Sequence, residues 1–135
     1  MREDVLIIVQ RNGQLLLAER KNCRSFNGCW NGPGGGVETG ETPLAAAARE
    51  LSEEAGLTIP LDRLEYWGSW PGDSDDYALH FIGLDLAPDE TPVHAEPLLH
   101  GPWQWFSRDA IDSLQVTTAM HCPVMQRRFW STPPR

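Results

Sequence analysis

The stretch that most constrains this chain runs from Gly35 to Leu57 and reads GGVETGETPLAAAARELSEEAGL. A glycine-rich turn, Gly32-Pro33-Gly34-Gly35-Gly36, leads into it. Pro43 stands where a helix would start, a position at which its missing N–H removes no hydrogen bond. Good helix formers follow, and Gly56 occupies the stop position, where a left-handed residue is wanted. The spacing predicts a helix from Pro43 to Ala55. Leu44, Ala47, Ala48, Leu51 and Ala55 share one apolar stripe. Glu50, Glu53 and Glu54, at i, i+3 and i+4, project together beside it, and Ala46 on their side is too small to obstruct them. Like charges so placed destabilise an isolated helix by about 0.2–0.5 kcal/mol per pair and raise one another's pKa values. Two readings stand: a solvated acidic face, or a site for a hard divalent cation, which prefers carboxylate and carbonyl oxygens.

The stretch resembles the signature of the Nudix hydrolases, GX5EX7REUXEEXGU, where U is a bulky aliphatic residue. Gly35, Glu41, Arg49, Glu50, Glu53, Glu54 and Gly56 occupy its fixed positions, and Leu51 and Leu57 its aliphatic ones. Upstream, the run GCWNGPGG from Gly28 to Gly35 resembles the GxWxxPGG lead-in of small, MutT-like members. The resemblance implies an α/β fold, the Nudix fold, with a mixed β-sheet sandwiched between α-helices (α/β/α). It also implies a pyrophosphohydrolase that uses Mg²⁺, with Mn²⁺ as the alternative ion. Glu50, Glu53 and Glu54 correspond to the family's metal-binding carboxylates, and the Gly34 carbonyl to its additional ligand. Arg49 corresponds to an arginine that orients the catalytic glutamates; by spacing it pairs with Glu53 at i+4 or with Glu41 across the loop. Glu41 reads as structural. Family members differ in their general base, some using a glutamate of the signature and others an acidic residue on a distant loop. Glu96 is the loop candidate here, and a solvated loop carboxylate is its other reading. Asp73, Asp75 and Asp76 read as a plain acidic turn.

Substrate choice rests on less. Gly34 and Gly35 let the main chain approach a phosphate without a Cβ in the way. Trp30-Asn31-Gly32 is similar to the WNG stretch of oxidised-purine nucleoside triphosphatases, in which the asparagine contacts the base. Trp30 could stack on a base face, and the Asn31 amide can pair two hydrogen bonds with a purine edge. Asn31-Gly32 is equally an ordinary turn dipeptide. The paired aspartates of those enzymes are not evident near Ser113 to Pro123. ADP-ribose pyrophosphatases carry a proline downstream of the signature, often followed by glycine; Pro71 falls fourteen residues after Leu57, one short of their spacing. The expected reaction is cleavage of a nucleoside triphosphate, modified or oxidised ones included, to monophosphate and pyrophosphate. The alternative substrate is ADP-ribose or another nucleoside diphosphate linked to X. A non-catalytic nucleotide-sensing module is the third reading; it would be expected to have lost signature carboxylates, and none is missing.

Composition bounds the rest. A chain of 135 residues is expected to form one domain over 1–135. A net charge of −8 argues against a nucleic acid polymer and leaves a small-molecule nucleotide as partner. No apolar run approaches a membrane span, and the start Met1-Arg2-Glu3-Asp4 is too acidic, and the apolar run after it too short, for a signal peptide. Cys23, Cys29 and Cys122 form no CxxC pair and read as reduced thiols of a cytoplasmic protein. A monomer or homodimer is expected. His80, His94, His100 and His121 have no ligand spacing and read as structural or surface residues.

Strands are expected over Val5 to Gln10 and Gln14 to Arg20 across an Asn12-Gly13 hairpin, then over Asp62 to Trp70, Tyr77 to Leu86 and Trp103 to Phe106. Lys21 to Cys29, Pro71 to Asp76 and Ala87 to Pro102 read as loops. Ser107 should cap a short helix through Leu114. A last helix should lie between Ala119 and Trp130, with Ser131 to Arg135 frayed.

Overall fold

A computed structural model describes residues 1–22 and 27–131; Cys23 and the chain end beyond Ser131 lie outside the described residues. The central strand, β1 (Arg2–Arg11), is apolar without a break from Val5 to Val9 because both its faces are covered. Val5, Ile7 and Val9 enter one core, Leu6 and Ile8 the other. Asn12 and Gly13 turn the chain with φ of 53° and 75°, the backbone of a tight hairpin, and β2 (Gln14–Glu19) returns antiparallel. β3 (Trp30–Asn31) pairs with the end of β2, and β4 (Gly34–Gly36) pairs with β1. The glycine stretch expected as a turn is thus a short strand from Gly34.

α1 (Pro43–Ala55) has the expected bounds. The Thr42 hydroxyl accepts from the Ala45 N–H at its start, and Gly56, at φ 64°, ends it with its own and the Leu57 N–H on the Ser52 and Leu51 carbonyls. Ala46, Ala47, Leu51 and Ala55 are buried against the sheet. β5 (Glu65–Trp70) and β6 (Tyr77–Asp85) follow; β6 runs parallel to β1 and β5 antiparallel to β6, so the sheet is mixed. Asp62 and Arg63, expected as the start of β5, belong instead to a 3-10 turn, Leu61–Arg63, that opens after Pro60 at φ −63°. β7 (Gln104–Ser107) pairs with β2, and Ser107 caps α2 (Arg108–Asp112) through the Ala110 N–H.

The expected last helix is broken. Thr118–His121 is a 3-10 turn, Cys122 is extended at ψ 168°, and helix resumes as α3 (Pro123–Met125) and a π-turn over Gln126–Trp130. Pro123 is the cause, because its ring disfavours helical backbone at the residue before it. Met120, Val124, Met125 and Phe129 of this segment cover the face of the sheet opposite α1.

The two hairpin strands do not stay together. β1 pairs with β2 at Gln10 and Arg11, but with β4 at Asp4, Val5 and Leu6. β2 meanwhile carries β3 at Ala18 and Glu19. Between the diverging strands opens a cleft of about 780 Å³, a volume suited to a small-molecule ligand.

Candidate active site

α1 supplies one wall of this cleft with Glu50, Glu53 and Glu54, and β4 supplies Gly34 and Gly35. Glycine is required where strand and helix meet, since a Cβ on Gly35 would overlap the Glu50 carboxylate and one on Gly34 would overlap the Val5 carbonyl. Glu54 Oε2 accepts the Gly34 N–H at 2.9 Å. Ile7 N–H bonds the Pro33 carbonyl and Val37 N–H the Glu3 carbonyl, so Gly34 falls at a non-hydrogen-bonded position of the antiparallel ladder. Its N–H and C=O therefore both point away from β1, toward the α1 side.

Arg49 fastens this wall. Its Nε and NH2 donate to the two oxygens of Glu41 at 2.9 and 3.0 Å, NH2 also to the Gly36 carbonyl at 2.7 Å, and NH1 to Glu50 Oε1 at 2.9 Å and Glu53 Oε2 at 3.2 Å. The two pairings left open by spacing are both present. Glu41 hydrogen-bonded to Arg49 is held below the usual carboxylate range.

Burial pushes Glu54 up to about 8, against the Gly34 N–H and with help from the charges of Glu50 and Glu96. Burial likewise pushes Glu50 up to about 7, opposed by Arg49 and assisted by Glu53 and Glu96. Glu53 stays half exposed, at 51% of its side chain. Glu96 lines the same cleft from the loop between β6 and β7. That loop is docked on the last turn of α1, where the Val93 N–H bonds the Ala55 carbonyl at 2.8 Å and the Trp103 indole N–H bonds the Glu54 carbonyl at 3.2 Å.

Among the described residues, no three His, Cys, Asp or Glu side chains are already gathered as a metal cage: Glu50 is turned to Arg49 and Glu54 to the Gly34 N–H. The donors nonetheless fit a hard divalent cation. They are all oxygens, two of the carboxyls are desolvated beside each other, and Gly35 leaves room above Glu50.

The opposite wall is built from scattered positions. Asn31 faces the cleft, and the Thr117 hydroxyl donates to its Oδ1 at 3.2 Å. Trp30 does not line the cleft; its ring stands edge-on to Phe106, with centroids 5.2 Å apart, beside the core under α3. Successive strand residues face opposite sides, so Trp30 is turned from the side on which Asn31 lines the cleft. Several lining residues carry no signal in the sequence. Asp4 and Tyr77 come together on neighbouring strands, with the Tyr77 hydroxyl donating to Asp4 Oδ2 at 2.7 Å. His100, read as structural or surface, is a buried cleft residue whose pKa burial lowers, with Nδ1 on the Gly101 carbonyl at 2.7 Å. His80 bridges Glu3 and Tyr66 at 2.8 Å each.

A family model of the NUDIX domain matches residues 1–126. The oxidized purine nucleoside triphosphate hydrolase of Danio rerio is 37% identical over 116 residues, which cover 82% of this chain and 69% of that protein. The ADP-ribose pyrophosphatase of Methanocaldococcus jannaschii is 48% identical over 50 residues, 37% of this chain and 29% of that protein. Among solved structures, a MutT NUDIX hydrolase from Burkholderia pseudomallei superposes with a TM-score of 0.77 at 26% identity, covering 94% of this chain and 97% of that one.

Proposed function

The chain belongs to the NUDIX family and is a hydrolase of diphosphate bonds in nucleotide substrates; from that premise we propose that it cleaves nucleoside triphosphates, modified ones included, to monophosphate and pyrophosphate with Mg²⁺. The observation that carries this reading is the pair Glu50, buried, and Glu54, half-buried, both raised, with Glu54 on the Gly34 N–H and Glu96 lining the same cleft. A protein that leaves two like carboxyls desolvated in a cleft sets aside stability for a function. Glu50, Glu53, Glu54 and the Gly34 carbonyl would hold the ion, whose chemistry when bound is to neutralise phosphate charge and polarise the diphosphate.

The chain's own residues do the rest. Arg49 keeps Glu50 and Glu53 in position, and it spans from the helix to the Gly36 carbonyl, so helix and strand move as one piece. The water oxygen forms a new bond to one phosphorus of the diphosphate, the bond from that phosphorus to the bridging oxygen breaks, and a cleft carboxylate takes the water's proton. Glu96, on the loop docked against the last turn of α1, is proposed as that base. Asn31 is proposed to contact the base of the nucleotide. ADP-ribose remains the second substrate reading, favoured by the match to the Methanocaldococcus jannaschii enzyme.

No helix among the described residues is long and apolar enough to cross a membrane. Cys29 and Cys122 are buried free thiols, which suit the proposed cytoplasmic setting. A nucleotide panel with and without Mg²⁺ tests the proposal, with products separated by chromatography. Monophosphate and pyrophosphate from a triphosphate are expected, and ¹⁸O from labelled water should appear on one of them. Orthophosphate as the first product would contradict it.

A further inference from the structure

The chain has two tyrosines, and they donate to different kinds of acceptor. The Tyr77 hydroxyl donates to the Asp4 carboxylate at 2.7 Å, and burial and then that carboxylate hold its phenol well above the ordinary range. Tyr66 lies outside the cleft, on β5, and is 45% exposed. Its hydroxyl lies 2.8 Å from His80 Nδ1 on β6, and His80 Nε2 lies 2.8 Å from Glu3 Oε1 on β1. The three side chains stand on neighbouring strands, in the order β1, β6, β5. A carboxylate only accepts, so Nε2 carries the imidazole proton and Nδ1 is left to accept from the phenol. His80 is buried, which holds its ring between the two partners. An exposed hydroxyl on one imidazole nitrogen, with a carboxylate on the other, is the arrangement of an activated nucleophile.

We propose that Tyr66 is a covalent modification site, a phenol that accepts an acyl group from a small activated carboxyl donor, with His80 as its base and Glu3 holding the imidazole. A phenol is a weak nucleophile while it keeps its proton. In this step the Tyr66 oxygen forms a bond to the acyl carbon, and the bond from that carbon to its leaving group breaks. The phenol proton passes to His80 Nδ1. The imidazolium so formed faces the Glu3 carboxylate and hands the proton on to the leaving group. The product is an O-acyl tyrosine on the exposed side of β5. The net charge of −8, with Glu3 beside the phenol, repels polyanionic phosphoryl donors and favours a neutral acyl donor. The step needs neither metal nor nucleotide, so it stands apart from the hydrolytic cleft.

The competing role is mechanical, since the same two bonds tie β1, β6 and β5 together. His80→Gln separates the two roles, because an amide can donate to Glu3 and accept from Tyr66 yet takes no proton. The test treats the protein at neutral pH with N-acetylimidazole, a neutral acyl donor, beside N-acetyltyrosinamide in the same solution. Peptide mass spectrometry follows acetylation at each tyrosine. In the parent, Tyr66 should be acetylated faster than the small amide, and Tyr77 more slowly than it. His80→Gln should slow Tyr66 roughly a hundredfold, the low end for a positioned general base. Glu3→Gln, which keeps the imidazole but removes the charge facing it, should slow Tyr66 by less. A parent Tyr66 no faster than the small amide overturns the proposal. So does an equal Tyr66 rate in the parent and a folded His80→Gln, which is what a strand-tying role produces. If His80→Gln does not melt cooperatively, Glu3→Gln decides, and an unchanged Tyr66 rate there overturns the proposal.

Discussion

The two walls of the cleft are made in opposite ways. The α1 wall comes from one segment of chain, Gly34 to Glu54, and is fixed locally by a capped helix, a strand of glycines and one arginine with four acceptor residues. The rest of the lining is collected from separate strands: Asn31 on β3 is held by Thr117, and Asp4 on β1 by Tyr77 on β6. The first wall carries the groups proposed to hold the ion that any diphosphate substrate needs. The second carries neutral and singly charged hydrogen-bonding groups whose value depends on which base is present. Damage to the first should therefore lower every reaction, and damage to the second should reorder substrates.

The largest expected effect is on the α1 wall. Glu53→Gln preserves size and removes charge from a side chain that is half exposed, so stability should hold. Turnover should drop about 10²–10⁴-fold on every nucleotide, the range for removing a positioned acid–base or charge-stabilising carboxylate. Steady-state kinetics beside a thermal melt separates the two. A variant that hydrolyses its best substrate at near the parent rate would break the division between the walls at its strongest point.

Next in size is Gly35→Ala. The backbone there is an ordinary strand, but the new Cβ would collide with the Glu50 carboxylate. The carboxylate must swing aside and strain its Arg49 bond, which should cost about 1–3 kcal/mol as overpacking does and depress activity on all nucleotides alike. Urea unfolding and kcat on two different bases check this. A change of base preference would show that the walls are coupled rather than separate.

The same contrast explains what could be read in advance. Helix α1 was legible to the residue because its signals are local: Pro43 at the start, Gly56 at the stop, alanines and Leu51 at helical spacing. Glu50, Glu53, Glu54 and Arg49 came with it, since residues three and four apart on a helix share a face. Glu96 was reachable only through resemblance; its position depends on loop 87–103 docking on α1, which no local pattern encodes. Asp4 and Tyr77 had no signal at all, being 73 positions apart and joined by a parallel pairing. Trp30 and Asn31 read alike in the sequence, whereas a strand turns their side chains to opposite faces. The last helix breaks at Cys122 because Pro123 disfavours helical backbone at the residue before it.

On the far wall, Asn31→Ala removes the amide that Thr117 orients. A neutral hydrogen bond contributes about 0.5–1.5 kcal/mol, so the ratio of kcat/KM between a purine and a pyrimidine triphosphate should move by about two- to tenfold. ADP-ribose belongs in the same comparison as the second substrate reading. An unaltered ratio with a uniform loss would reduce Asn31 to a shaper of the β3 turn.

The smallest effect lies outside both walls and tests whether the loop carrying Glu96 is held by charge where α1 is held by packing. Arg63 reaches Glu90 with NH1 on Oε2 at 2.5 Å and NH2 on Oε1 at 2.7 Å, and the Ala87 N–H adds a bond at 2.8 Å. The Arg63 guanidinium first, then that N–H, pull Glu90 from 4.5 down to about 2. A carboxyl with a depressed folded pKa is protonated more readily in the unfolded chain. Its stabilisation is therefore complete above pH 4.5 and drains away as the pH falls from 4.5 toward 2. The Glu90 side chain is 21% exposed, and solvent screening limits the contribution to about 0.5 kcal/mol. Glu90→Gln should be less stable than the parent by that amount at pH 7, with the gap closing as acid is added and no change in substrate ranking at any pH. Urea midpoints for the two proteins between pH 7 and pH 2 measure this. A gap that stays constant down the series would mean that the loop is held by shape and not by the charge of Glu90.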